Sequence, residues 1–185
     1  MHPKLSELAD RYDRTKGLLS DIESETGYLS LTTRTVNDLR HTLDHILKGV
    51  ALERNGELEQ ADYLYSGAIE HLREHTLNSF ENVAGMVLKA TWKRLEEAGF
   101  FTDSAQAFDL YRRATRSYSL GRQTRTEDED ASLAHFRQAA RLALEARKMI
   151  KPEPRWRRFV VWWALALGLA TLANVAFGVY QALSK

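Results

Sequence analysis

The chain has 185 residues, no cysteine, and 26 Lys and Arg against 25 Asp and Glu. The missing cysteines exclude disulfides, thiolate nucleophiles and Cys-based zinc sites. Residues 1–150 carry 21 basic and 24 acidic side chains, a net −3, so no strongly basic domain announces nucleic-acid binding.

In chain order, residues 3–24 place Leu5, Leu8, Tyr12, Leu19 and Ile22 near helical spacing, which predicts a first amphipathic helix. The N-terminal MHPKLSELADRYDRTK has no apolar run and does not read as a signal peptide. Gly27 marks a turn. A second helix is expected over 33–54, with Val36, Leu39, Leu43, Ile46, Leu47 and Val50 as one apolar stripe, closed by Asn55-Gly56. A third follows at once, so the two form an antiparallel hairpin. Its stripe is Leu58, Ala61, Tyr65, Ala68 and Leu72, continuing through Phe80, Val83 and Val87 to Leu95. A single helix to Gly99 would exceed about 40 residues, well beyond the usual length, so a bend or break is expected near Thr76–Gly85. Thr102 or Asp103 then caps a fourth helix carrying Phe108, Tyr111, Ala114 and Tyr118. Residues 119–130 read as a polar loop. A fifth helix over 131–150 presents Leu133, Phe136, Ala140 and Ala143 and ends on Arg147, Lys148 and Lys151, as the helix dipole favours. The fold class is therefore all-α: an antiparallel bundle of about five helices over 1–150.

The C-terminal part has a different character. Residues 151–158 (KPEPRWRR) form a basic, Pro-containing hinge with four positive charges and one negative. Residues 159–183 run for 25 positions without a formal charge, where about 20 suffice to cross a bilayer. Trp156, Trp162 and Trp163 flank one side and Tyr180 the other, as interfacial aromatics do. A buried core helix is the alternative for such a run, and the basic collar argues against it. The expectation is a tail-anchored, single-pass protein of the inner (cytoplasmic) membrane. The positive-inside rule puts the helical domain in the cytoplasm and residues 184–185 outside. Ala166, Ala170, Asn174, Gly178 and Ala182 recur every fourth residue, a stripe of small groups with one amide that suits self-association of the span. The expected partners are thus the lipid bilayer and further copies of the chain.

Four histidines fall in two i,i+4 pairs, His41/His45 and His71/His75, with Arg40, Asp44, Glu70, Arg73 and Glu74 nearby in the hairpin. Angular spacing turns His41 and His45 away from the apolar stripe of their helix, toward solvent or a second subunit, and sets His71 and His75 at the edge of theirs. One reading gives these histidines no role beyond a helix surface and a core edge. A metal site is a second, but di-iron bundles use inward Glu and Glu-x-x-His, a pattern not reproduced here, so no metal and no cofactor are expected.

Arg40-His41-Thr42-Leu43-Asp44-His45 resembles the R-x4-H motif of HEPN-superfamily ribonucleases. The surrounding DLRHTLDHILKGV and AIEHLREHTLNSFENV are similar to helices of HEPN-like bundle proteins in bacterial conflict systems, a likeness spanning about residues 33–98. The resemblance implies that His45 is a general base on a ribose 2′-hydroxyl and that Arg40 neutralises the scissile phosphate. His41, Asp44, Glu70, His71 and His75 would be supporting groups, and the site metal-independent and completed across a dimer. RNA would be a partner only on that reading. A motif on the second helix departs from the family's usual late placement. NGELEQADYLYSGAIEHL in turn resembles one helix of a TPR-like repeat, without a full repeat period, which keeps a membrane-anchored scaffold as another alternative. The leading expectation is an oligomeric interaction or effector module, with a protein partner in a bacterial defence or stress system; the enzyme alternative is an endoribonuclease.

Overall fold

A computed structural model describes residues 2–29, 32–98 and 105–150, together with 163, 164, 166, 167 and 171. Among them are five helices and no strand: α1 (Pro3–Thr26), α2 (Thr33–Arg54), α3 (Leu58–Ala98), α4 (Ala105–Thr124) and α5 (Glu129–Met149). Their ends follow local chemistry. Pro3 stands in the first turn of α1 and Gly27 closes it at φ 71°. Thr32 and Thr35 exchange side chain-to-backbone bonds in a capping box at the start of α2. Gly56, at φ 82°, makes the tight α2–α3 turn. Asp128 accepts from the Ala131 N–H at 2.9 Å to start α5.

The 41-residue α3 is the spine. α1 and α2 pack on its first half and α4 and α5 on its second. Leu8 meets Ala68 and Leu72, whereas Leu133, Phe136, Ala139, Ala140 and Ala143 of α5 join Leu77, Phe80, Val83 and Val87. The break expected near Thr76–Gly85 is absent: α3 runs through it unbroken. The reason is that the two packets overlap there. His75, Thr76, Leu77, Asn78, Ser79 and Phe80 are consecutive and all buried, so this stretch is enclosed on every side and its loss of one-face periodicity marks a change of neighbours. Polar links fix the overlap. The Thr15 and Thr76 hydroxyls bond at 2.8 Å, and Arg125, 16% exposed, donates to Glu74, to Asn78 at 2.6 Å and to Glu81 at 2.5 Å. Arg11 and Arg73 meet Glu129 nearby.

The loop expected over 119–130 is also shorter than its composition implies. α4 continues to Thr124 because Gly121 admits the Phe136 ring of α5, and its carbonyl accepts from the Ser132 hydroxyl at 2.7 Å. Thr102 and Asp103, the expected cap, lie outside the described residues. So does the 151–158 hinge, and so does the expected span over 159–183 except for Trp163, Ala164, Ala166, Leu167 and Thr171, which are helical and exposed. Among the described residues no helix is long and apolar enough to cross a membrane.

Candidate functional site

The α2–α3 hairpin positions the histidines, and small residues decide how. Thr35, Thr42 and Gly49 form the buried line of α2, at seven-residue spacing; Ala61, Ala68 and His75 repeat it on α3. The His75 Nδ1–H donates to the Thr35 carbonyl at 2.9 Å, which in antiparallel register sets Thr42 opposite Ala68 and Gly49 opposite Ala61. Two rings then enter two notches. The Tyr65 ring sits over Gly49, where an added Cβ would fall 2.6 Å from its Cε1, and the His45 ring sits over Gly67, where a Cβ would fall 2.5 Å from its Nδ1. Close approach of the backbones, not breadth of apolar surface, selects the contact face.

That choice rotates α2 away from the stripe-inward orientation. Val36, Leu43 and Leu47, expected in the core, are 51%, 60% and 71% exposed, while Leu39 and Ile46 are half-buried beside Leu8, Ala68 and Leu72. It also turns His45 inward, correcting the outward orientation expected for the pair. The His45 Nδ1–H faces the Leu64 carbonyl at 3.3 Å, and its ring stands edge-on to His71 with centroids 5.0 Å apart. His41 remains exposed and stacks on His71 at 5.4 Å. Three of the four histidines thus form one cluster. His75 is not in it: only 3% exposed, it serves the Thr35 carbonyl.

Burial holds the His71 pKa below its ordinary value, and the neighbouring His45 and His41 push the same way against Asp38 and Glu70. His75 is lowered by burial, with its Thr35 bond and Asp38 opposing. The His71 ring is therefore biased toward its neutral form, which can accept a proton. A stacked pair presents ring faces to each other, whereas a metal needs lone pairs that converge. Among the described residues no group of three or more His, Asp or Glu is arranged to hold a metal ion.

The other candidates disperse. Arg40 is exposed on the side of α2 that carries Val36, Leu43 and Leu47, without an ion pair among the described residues. Five positions separate it from His45, about 140° around a helix, so the two side chains leave α2 in different directions. Asp44 pairs with Lys48 at 2.7 Å and Glu70 with Arg73 at 2.7 Å, both on the surface. In the expected span Ala166 is exposed, and Ala170, Asn174 and Gly178 lie outside the described residues. Sequence reasoning missed an aromatic surface site. Trp92, Phe108 and Tyr111 cluster between α3 and α4, and Trp92, off the stripe of α3, was the available signal.

Among the described residues the fold and site thus define an all-α bundle of five helices with an imidazole cluster in its hairpin and an apolar ladder on the outside of α2. No family model matches the chain, and neither curated proteins nor solved structures give a significant match.

Proposed function

We propose that the chain is a membrane-anchored helical module that self-associates through α2 and works as an interaction or effector unit. The observation that carries this reading is the unpartnered ladder Val36–Leu43–Leu47, three large apolar side chains more than half exposed on one side of one helix. Val50, half-buried, continues it on the same side of the helix, so the ladder spans residues 36–50, a rise of about 21 Å. The proposed occupant is a second copy of α2. Anchoring through 159–183 holds copies at one surface with a shared orientation and raises their effective concentration. Alignment of like helices is then self-complementary. Arg40, exposed beside the ladder, and the Asp44–Lys48 pair one turn further on form a charged edge toward such a neighbour. The similarity to HEPN-like bundles supports a role in a bacterial defence or stress system.

The test is the double variant Leu43→Lys, Leu47→Lys in the full chain. Both side chains are mostly exposed, so helix content and melting should hold. Covering each leucine contributes about 1–2 kcal/mol per copy, so removing four per pair should weaken association at least about a hundredfold. Unchanged association by light scattering in detergent would reject the α2 interface.

A metal-independent ribonuclease is the second reading. It is favoured by exposed Arg40 on the proposed contact side and by the half-buried His45 beside His71. RNA cleavage lost in both Arg40→Ala and His45→Ala would establish it; turnover indifferent to both would remove it.

A further inference from the structure

The α3–α4 side carries a groove apart from the proposed α2 contact, floored by Tyr111, whose ring also packs on the core. Trp92 and Phe108 are 40% and 47% exposed, their rings edge-on at 6.2 Å, and Tyr111 lies 5.5 Å from Trp92. With Arg112, Thr115 and Arg116 they line a groove of about 760 Å³. The helix that carries the groove is also basic, and Arg112 and Arg116 are its lining arginines. α4 holds Arg112, Arg113, Arg116 and Arg122 against Asp109 alone, a net +3, so the rest of residues 1–150 sums to −6. Arg112 is tied to Asp109 at 3.2 Å and Arg122 to Glu81 at 3.3 Å, but Arg113 and Arg116 are exposed and make no ion pair among the described residues.

The path of the chain indicates what this face meets. Ile150, at the end of α5, is buried against Leu95, Ala98 and Ala107, where α3 ends and α4 begins. Only residues 151–158 then separate the bundle from the uncharged run, and eight residues reach no more than about 28 Å. The Trp92–Phe108 end is therefore the end nearest the proposed anchor.

We propose that the α3–α4 face rests on the anionic surface of the membrane that holds the anchor, with Trp92, Phe108 and Tyr111 at headgroup depth and Arg112 and Arg116 on lipid phosphates. This rests on the membrane-anchored reading above. Tryptophan and tyrosine favour the membrane–water interface, and guanidinium groups bind phosphate oxygens two at a time. Basic side chains are attracted to an anionic leaflet within a Debye length of about 8–10 Å, a distance that lies inside the reach of the tether.

Since the chain has no cysteine, a single label can be placed at will. Thr115→Cys puts a fluorophore in the groove and Glu57→Cys puts one in the α2–α3 turn at the far end. Each full-length variant is reconstituted into phosphatidylcholine vesicles, with or without phosphatidylglycerol, containing a lipid with a nitroxide on its headgroup. In phosphatidylglycerol vesicles, quenching at position 115 should exceed that at 57 several-fold. It should fall toward the position-57 level in phosphatidylcholine alone, and in the double variant Arg112→Glu, Arg116→Glu, while flotation with the vesicles stays unchanged. Equal quenching at the two positions in vesicles that carry the protein would overturn the docking face and leave the anchor standing. A chain that does not float would overturn the anchor itself, and the docking face with it. A label at 115 that responds to added RNA but not to phosphatidylglycerol would assign the face to nucleic acid and overturn the lipid assignment.

Discussion

Two glycine-to-alanine substitutions in helix interiors should differ in their effect on stability, and the comparison isolates the packing that sets the α2–α3 face. At Gly17, exposed on α1, an added Cβ meets nothing within 4 Å. Gly17→Ala should therefore stabilise by about 0.5–1 kcal/mol through helix propensity alone. At Gly49 the same methyl group lands 2.6 Å from Tyr65 Cε1 and 3.0 Å from Cδ1. Tyr65 cannot yield easily, because it is fully buried and its hydroxyl donates to Glu53 at 2.8 Å. The helices must move apart instead, an overpacking cost of about 1–3 kcal/mol that outweighs or cancels the propensity gain. At about 2–4 °C per kcal/mol for a domain of this size, Gly49→Ala should melt about 2–12 °C below Gly17→Ala. Thermal unfolding followed by helical circular dichroism measures the difference. Equal stabilisation by both substitutions would mean that Tyr65 does not pack over Gly49 and that α2 presents another face to α3.

Three further outcomes follow from the same contacts. His75 has a pKa lowered by burial, so the folded state resists a proton that the unfolded chain accepts; stability should be full above 6.5 and fall as the pH drops below it, less steeply in His75→Gln. Arg125→Ala removes the donor shared by Glu74, Asn78 and Glu81 and should cost about 2–4 kcal/mol in urea unfolding, with Arg125→Lys recovering only part because an ammonium lacks the planar fork. Gly67→Ala should destabilise and at the same time displace His45 from His71, read as a shift of the His71 imidazole resonances and of their titration.

The sequence carried the helices and the hairpin plainly, because periodic apolar residues and the Gly27 and Asn55-Gly56 breaks act locally. Two features were not legible for physical reasons. Continuity through Thr76–Gly85 depends on a second packet of helices arriving at α3 from distant sequence, which no local window contains. The rotation of α2 depends on Gly49 and Gly67 receiving rings from the opposite helix, so the small-residue line Thr35–Thr42–Gly49 outcompeted the larger stripe through Val36, Leu43 and Leu47. The meeting of His41, His45 and His71 was foreseeable from hairpin register, whereas the inward turn of His45 was not. Trp92 and the charge imbalance of α4 were visible in the sequence, but their juxtaposition requires the α3–α4 packing.

The central claim is that residues 159–183 fix a folded helical module in a lipid bilayer. Alkaline carbonate extraction of membranes from cells making the full chain, beside a chain ending at Ile150, tests it most directly. The account predicts that the full chain stays with the membrane pellet and floats with lipid in a density gradient, while the shortened chain is released as a soluble helical protein. Release of the full chain into the supernatant would contradict the anchor, and with it the shared surface on which the proposed self-association depends.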